Sequence, residues 1–167
     1  SPGSYVFTAK HSLIDYTSKS LYPKINEGDG LPFNFTDLYG KVTFTSESGS
    51  KVSFFGFHNQ DSVNYSIADL NWQASGGGMN FLMIPSGSPV FIRGHVNGSN
   101  FMTTFAEDQV EPRYSKIGGF DLGFDFSYFL KNEGEMNYGF NFCGFNTQFV
   151  TFNEAKRKIE AFNFSTE

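Results

Sequence analysis

Large apolar residues alternate strictly with small or polar residues between positions 118 and 152. Every second residue from Phe120 to Leu130 is large and apolar, and the alternation resumes at Met136 after the turn KNEGE. A period of two is that of a β-strand, so the pattern predicts a hairpin. The predicted pairs are Leu130 with Met136, Tyr128 with Tyr138, Phe126 with Phe140 and Phe124 with Phe142. The apolar face then consists of Phe120, Leu122, Phe124, Phe126, Tyr128, Leu130, Met136, Tyr138, Phe140 and Phe142.

The opposite face of this hairpin is small or polar, and its polar members are Asp121, Asp125, Asn137 and Asn141. The apolar face is too hydrophobic to stand against water. It therefore either covers a large soluble core or faces lipid, in which case the polar residues face a lumen.

The rest of the chain repeats this alternation in shorter stretches separated by turn residues. We predict an all-β antiparallel meander of about seven strands, the last two being the hairpin. The first five are expected at residues 3–14, 34–46, 51–59, 69–84 and 89–105. A helical turn is expected near residues 18–22. The run Gly76-Gly77-Gly78 is expected to form a bend where a neighbour approaches closely. The charged tail 153–167 is expected to have no strand partner.

Short and long connections alternate between these predicted strands, with about 18, four, eight, four, eleven and five residues in turn. Outer-membrane barrels have short periplasmic turns and longer extracellular loops, and an even number of strands. The rhythm therefore predicts part of a transmembrane β-barrel, with KNEGE on the periplasmic side. Tyr128, Phe129 and Tyr138 would belong to an aromatic girdle there, and Trp72 is a candidate for the opposite girdle.

Composition agrees with a membrane barrel and excludes several other classes. Charged residues make up 17% of the chain, against about 25% in a typical soluble domain. The mean hydropathy of −0.31 fits strands of which one face is polar, and no apolar run is long enough for a transmembrane helix. A net charge of −5 without basic runs argues against nucleic acid. A single cysteine excludes an internal disulfide framework.

Three stretches carry a resemblance to a known family: YPKINEGDGLPFNFTDLYGKVTF, GSKVSFFGFHNQDSVNY and DLNWQASGGGMNFLMIPSGSPVFIRG. They resemble the barrel of TonB-dependent outer-membrane receptors of the Bacteroidetes type. The resemblance implies that residues 1–167 are a segment of one 22-stranded outer-membrane barrel domain whose plug and remaining strands are absent here. KIEAFNFSTE would then be an outside loop leading to a further strand.

What the resemblance implies for function is energy-coupled import of a nutrient, such as a metal chelate, glycan or peptide, without catalysis. The partners implied are outer-membrane lipid, the plug domain and TonB, with a surface lipoprotein or larger membrane complex as a further candidate. Substrate contacts are expected in the long loops, at residues 15–32, 60–67 and 106–116, without individual residues being named.

The residue pattern supports neither an enzyme nor a cofactor or metal site. His11, His58 and His95 lie on three different predicted strands without metal-ligand spacing, and a zinc pair of the last two has little support. Asp121 and Asp125 would stand roughly 13 Å apart on one strand face, which exceeds the spacing of a glycosidase carboxylate pair. Cys143 is expected to be a buried or lumen-facing thiol without a role.

Two alternatives remain open from the sequence. One is a non-transporting outer-membrane barrel or assembly component with the same strands. The other is a soluble β-barrel or sandwich that binds a lipid or sugar on its aromatic face.

Overall fold

The computed structural model describes residues 3–108, 110–131, 134–152 and 157–166. They form one eight-stranded antiparallel sheet in which each strand pairs with the next along the chain. The strands are β1 (Gly3–His11), β2 (Phe33–Thr45), β3 (Lys51–Tyr65), β4 (Ala68–Met83), β5 (Val90–Glu107), β6 (Val110–Phe129), β7 (Glu135–Phe152) and β8 (Lys158–Thr166). The predicted all-β meander is confirmed, with one strand more than expected.

The sheet is open and has almost no interior of its own. Within the described residues β1 and β8 are its two edges, and Val150 is the one buried hydrophobic side chain. A soluble domain of this size normally buries most of its large apolar residues in a core. This sheet instead leaves both faces accessible, so its stability depends on whatever medium or structure covers them.

The eighth strand corrects two predictions for residues 158–166 of the tail 153–167: that the tail has no partner, and that KIEAFNFSTE is a loop. Residues 153–156 and 167 lie outside the described part of the chain. β8 pairs with residues 144–152 of β7, from Gly144 opposite Thr166 to Phe152 opposite Lys158. Adjacent apolar residues Ala161 and Phe162 break the alternation in this segment. Its strand character therefore comes from backbone pairing along the edge of β7 rather than from a pattern visible in the segment itself.

Two of the predicted long loops, at residues 60–67 and 106–116, are strand for most of their length. β3 continues to Tyr65 and β4 begins at Ala68, while β5 continues to Glu107 and β6 begins at Val110. The predicted short–long rhythm of connections was therefore wrong. The polar residues of these segments predict loops, but polar residues are also compatible with a strand whose backbone is paired with its neighbours. Here both hairpins are long, and the amide of Asp108 donates to the carbonyl of Ile67, 3.2 Å away, across their tips.

The register of the β6–β7 hairpin differs from the predicted one by two residues. Tyr128 pairs with Met136 and Phe126 with Tyr138, followed by Phe124 with Phe140 and Leu122 with Phe142. Leu130 lies outside the strand, in the turn, where its amide donates to the carbonyl of Gly134 at 2.8 Å. A shift of two preserves which face each side chain occupies, so the other nine predicted apolar residues do share one face.

The connection between β1 and β2 is the one long connection of the described residues, and it is folded. A helix, α1, spans Ile14–Leu21 and a 3-10 turn spans Ile25–Gly28, so the helical turn expected near residues 18–22 is present. None of the described helices has the length and apolarity needed to cross a bilayer. Ser18 ties the segment together, because its hydroxyl accepts from the amide of Leu31 at 2.7 Å and donates to the carbonyl of Asp15 at 3.2 Å.

Replacing Ser18 with alanine is expected to loosen this segment. Ser18 is 3% exposed, so Ser18→Ala leaves the partly buried amide of Leu31 without its acceptor, at a cost of about 1–2 kcal/mol. Hydrogen exchange of the Leu31 amide should accelerate accordingly. Ser20→Ala, on the exposed side of the same helix, is the matched control, and equal exchange in both variants would contradict the role of Ser18.

Candidate functional site

One face of the sheet carries a continuous apolar band at the end where β6 turns into β7, which we name the turn end. The cross-strand register places its members side by side on seven adjacent strands. The large members of this apolar band are Tyr5, Phe7, Val42, Phe44, Val52, Phe54, Met79, Phe81, Met83, Val90, Ile92, Val96, Phe120, Leu122, Phe124, Phe126, Tyr128, Met136, Tyr138, Phe140 and Phe142. Among the described strand residues, all others within the band are glycines. The band carries no charge.

Aromatic rings pack against one another along the band. Phe124 and Phe140 stack with ring centroids 5.3 Å apart, and Phe126 and Tyr138 stack at 5.0 Å with planes 10° apart. These rings nevertheless remain open on their outer side, Phe140 being 58% exposed. A patch that crosses seven strands is far larger than the few hundred Å² a soluble monomer normally exposes. The face is therefore built to be covered by an apolar medium or surface.

The same face becomes polar toward the opposite end of the sheet, the loop end, where β3 turns into β4 and β5 into β6. His58 pairs there with Ser75, and Gln60 with Gln73. Polar contacts also link β7 and β8 on this face. The Gln148 side-chain amide donates to the Glu160 carboxylate at 3.1 Å, and the Lys158 ammonium lies 3.0 Å from the same carboxylate. These two hydrogen bonds, with the charge of Lys158, lower the pKa of Glu160. The polarity of the face thus changes sharply along the strands.

The reverse face carries charged and polar side chains at the level of the band. Asp121, Asp125, Asn137 and Asn141 all lie on it, together with residues of β5. The His95 Nε2 atom is 2.6 Å from Asp121 Oδ2, and the cross-strand partner of Asp125 is Arg93. The hydroxyl of Ser127 donates to the side-chain oxygen of Asn137 at 2.6 Å. Charged side chains at this level are therefore confined to one face of the sheet.

Glycines on the reverse face leave room for these polar side chains. A Cβ at Gly123 would stand 2.8 Å from Asn141 Oδ1 and would also collide with the His95 ring. A Cβ at Gly76 would stand 2.8 Å from the Phe57 ring. Strand β4 runs through the glycines at 76–78 without interruption, so the predicted bend there was wrong, whereas the predicted close approach of a neighbour is confirmed.

Several residues singled out from the sequence do not come together. His58 lies on the face of the apolar band and His95 on the reverse face, so the two cannot share a metal ion. Among the described residues no group of three or more His, Cys, Asp or Glu is placed to hold one. Cys143 is a free, half-buried thiol on the reverse face.

Two of the aromatic residues expected in girdles also lie on the reverse face. Phe129 contacts Phe91 there, with ring centroids 5.0 Å apart, and Trp72 pairs with Thr103 and Asp61 on the same side. Tyr128 and Tyr138 lie at the turn end of the band. The girdle expectation therefore does not hold for Phe129 and Trp72, because alternation along a strand places neighbours on opposite faces.

A polar cleft of about 410 Å³ opens at the loop end, between the folded β1–β2 connection and the β3–β4 tip. Its walls include Asp15, Lys19 and Asp29 from the connection, and Asn64 and Tyr65 from the end of β3. Two consecutive residues of the connection, at positions 26 and 27, line the cleft and have backbone φ angles in the left-handed region. Such backbone conformations cost energy and are concentrated at binding sites. Of the three predicted substrate loops, the one at residues 15–32 lines a cleft.

The apolar band as a whole was not apparent from the sequence outside the β6–β7 hairpin. Alternation in β2 to β5 was visible, but which face of one strand adjoins which face of the next depends on register.

Comparisons with known protein families, with curated proteins and with solved structures found no match.

Proposed function

We propose that this chain forms part of the wall of an outer-membrane β-barrel, with the apolar band facing lipid and the reverse face lining the lumen. The observation that carries the proposal is the segregation of charge. At one level of the sheet, one face is uncharged across seven strands while the other carries Arg93, His95, Asp121 and Asp125. A bilayer on one side and water on the other accounts for this distribution.

The height of the band on β6 and β7 supports a bilayer rather than a protein partner. On β6 it runs from Phe120 to Tyr128 and on β7 from Met136 to Gly144. Each stretch is about nine residues long, close to the 9–11 residues that a tilted strand needs to cross the hydrocarbon core.

The direction of the chain across the membrane follows from the two ends of the sheet. The strands extend past the band at the loop end only, and the polar cleft and folded connection lie at that end. In outer-membrane barrels the longer loops face the outside, and the long β1–β2 connection lies at the loop end. We therefore assign the loop end to the outside medium and the KNEGE turn to the periplasmic side.

Within this class we propose a TonB-dependent receptor, in keeping with the sequence resemblance. The polar reverse face would line the path of an imported nutrient (a metal chelate, glycan or peptide) and contact a plug domain. The loop-end cleft would meet the nutrient, or a surface lipoprotein, first. No step in this function requires catalysis, because the work of import is supplied through TonB and the plug.

Bimane labels at adjacent positions on opposite faces test the orientation. One label goes on native Cys143, and the other on Phe142→Cys in a Cys143→Ser background. After reconstitution into vesicles with brominated acyl chains, the label at 142 should be strongly quenched and the label at 143 should not. The faces alternate residue by residue, so the two positions have the same depth and differ in side alone.

Equal quenching of the two labels in the folded protein would contradict a lipid-facing band. A protein that remained folded and monodisperse in water without detergent would also contradict a lipid-facing band. The band would then be covered by protein or exposed to water. A non-transporting barrel would pass the quenching test but would show no dependence of nutrient uptake on TonB.

A further inference from the structure

The reverse face changes character between the level of the apolar band and the loop end. The cross-strand register there places one side chain from each of the strands β2 to β7 in a single row. This row, which we name the mixed row, consists of Phe35, Asp61, Trp72, Thr103, Ser115 and Phe149. Aromatic rings and hydrogen-bonding groups are therefore interspersed here, whereas the apolar band on the other face has no charged or amide group between its rings.

The rings of the mixed row stand apart from one another. Phe35, Trp72 and Phe149 contact no other aromatic ring of the described chain, whereas rings of the apolar band pack in pairs. Phe35 is 39% exposed and Phe149 48% exposed, and two strand spacings, roughly 10 Å, separate Phe35 from Trp72. Rings placed in this way suit a ligand whose surface has small apolar areas separated by polar groups.

The polar side chains between the rings have unused hydrogen-bonding capacity. The side chains of Asp61, Thr103 and Ser115 form no hydrogen bond or ion pair with any other residue that the structure describes. A protein surface packed dry against the row would leave these groups unsatisfied, which costs free energy for each of them. The molecule that covers the row should therefore offer hydrogen-bond donors and acceptors of its own.

The charges around the mixed row are almost all paired. In the next row toward the turn end, the Lys10 ammonium lies 3.5 Å from the Asp37 carboxylate. In the next row toward the loop end, Arg113 pairs with Glu107. Among the described residues of these three rows, Asp61 is the one charged side chain without an ion-pair partner. The row therefore presents a single carboxylate in otherwise neutral surroundings.

From these observations we propose that the mixed row binds a neutral oligosaccharide as the imported nutrient. This inference rests on the proposed function, since it requires the reverse face to line the lumen. One face of a sugar ring consists largely of C–H groups, which stack on the electron-rich face of an aromatic ring. The hydroxyl groups at its edge donate to the Asp61 carboxylate and exchange hydrogen bonds with Thr103 and Ser115.

The loop-end cleft adjoins the mixed row and gives the oligosaccharide a route to it. Phe33 lines the cleft and lies two residues before Phe35 on β2, on the same face of the sheet. The cleft wall also includes the amide side chain of Asn64 and the ring of Tyr65. A ligand that enters from the outside medium therefore meets the same combination of rings and hydrogen-bonding groups in the cleft and in the row.

The row suits the other two nutrient classes less well. An anionic metal chelate would be repelled by the unpaired Asp61 carboxylate. Peptides that bind a sheet through their backbone add to an open strand edge. The strands β3 to β6, which carry Asp61, Trp72, Thr103 and Ser115, are paired on both sides and offer no such edge.

The fluorescence of Trp72 tests the inference, because it is the one tryptophan of the chain. The folded protein in detergent micelles is titrated with neutral hexasaccharides of glucose, xylose, mannose and galactose. An uncharged hexapeptide and an anionic ferric catecholate are titrated for comparison. Asp61→Asn has Asp69→Asn as its matched control, since Asp69 lies on the other face of the sheet. Phe149→Leu has Phe164→Leu, likewise on the other face.

We expect at least one hexasaccharide to cause a saturable change in Trp72 emission. Asp61→Asn should raise its Kd about tenfold, the effect of losing one hydrogen bond to a charged acceptor. Phe149→Leu keeps an apolar side chain but removes the ring, and should raise the Kd about threefold. Both control variants should bind as the wild-type protein does.

Three results would overturn the inference while leaving the proposed barrel wall intact. They are the absence of a response to every hexasaccharide, an equal Kd in Asp61→Asn and Asp69→Asn, and a response to the hexapeptide or the chelate alone. The bimane labels at positions 142 and 143 report separately on the wall. Equal quenching of those two labels would overturn the proposed function, and the inference with it.

Discussion

Phe140→Arg is expected to lower the free energy of unfolding by about 2–4 kcal/mol in lipid vesicles, the cost of an arginine at the midplane of a barrel wall. Phe140 lies halfway along the β7 part of the apolar band, and its ring stacks on Phe124 at 5.3 Å. The substitution places a guanidinium where hydrocarbon is expected and also removes this ring contact. Denaturant titration of the reconstituted protein measures the change.

Asn141→Arg is the matched control, one residue along the same strand and on the reverse face. Because that face is proposed to be wet and carries charges already, Asn141→Arg should change the free energy of unfolding by less than about 1 kcal/mol. The comparison of the two variants also distinguishes lipid from water as the medium in contact with the apolar band. If water bathed the band, an arginine at the 58% exposed Phe140 would be harmless and would raise solubility.

Gly78→Ala is the second substitution with a large expected effect, of about 1–3 kcal/mol. A Cβ at Gly78 would lie 2.9 Å from the Cα of Asn97 and would also collide with the backbone carbonyl of Val96. Both belong to the neighbouring strand β5, so the sheet itself has to open, whereas a flexible side chain would simply rotate away. The expected result is a lower free energy of unfolding in the same vesicle titration.

Gly98→Ala provides the control on the neighbouring strand. Its Cβ would meet the carbonyl of Gly119 at 3.6 Å, an ordinary contact, and alanine restricts the unfolded chain. Gly98→Ala should therefore be neutral or stabilise by about 0.4–1 kcal/mol. Comparable destabilisation by both variants would mean that the loss arises from strand backbone conformation and not from the approach of β5.

The β6–β7 hairpin illustrates what could be predicted from the sequence and what could not. Strict alternation assigned Phe124, Phe126 and Phe140 to one face and Asp121 and Asp125 to the other, and the structure has them so. The pairing of Leu130 with Met136 was wrong, because a pattern of period two is unchanged by a slip of two residues. The geometry of the turn, with Leu130 bonded to Gly134, selects the register.

Strand length and strand number depended on partners that a single segment does not reveal. Residues 60–65 and 110–116 carry polar side chains that predict a loop, yet 60–65 are paired throughout with β4, and 110–116 are paired with β5 except at 111 and 112, where the register shifts. β8 is a strand because the edge of β7 offers it hydrogen bonds. A polar side chain weakens the hydrophobic signal without weakening the backbone ladder, so composition underestimates such strands.

The sequence by itself determined the all-β class, the antiparallel meander and the two-faced character of the hairpin, since these follow from local alternation. Only the tertiary structure decided that Gly40, Gly56, Gly77 and Gly98 stand in one row, and that His58 and His95 lie on opposite faces. The physical reason is the same for both. Alternation is a property of one strand, whereas a band, a row or a site is a property of the register between strands.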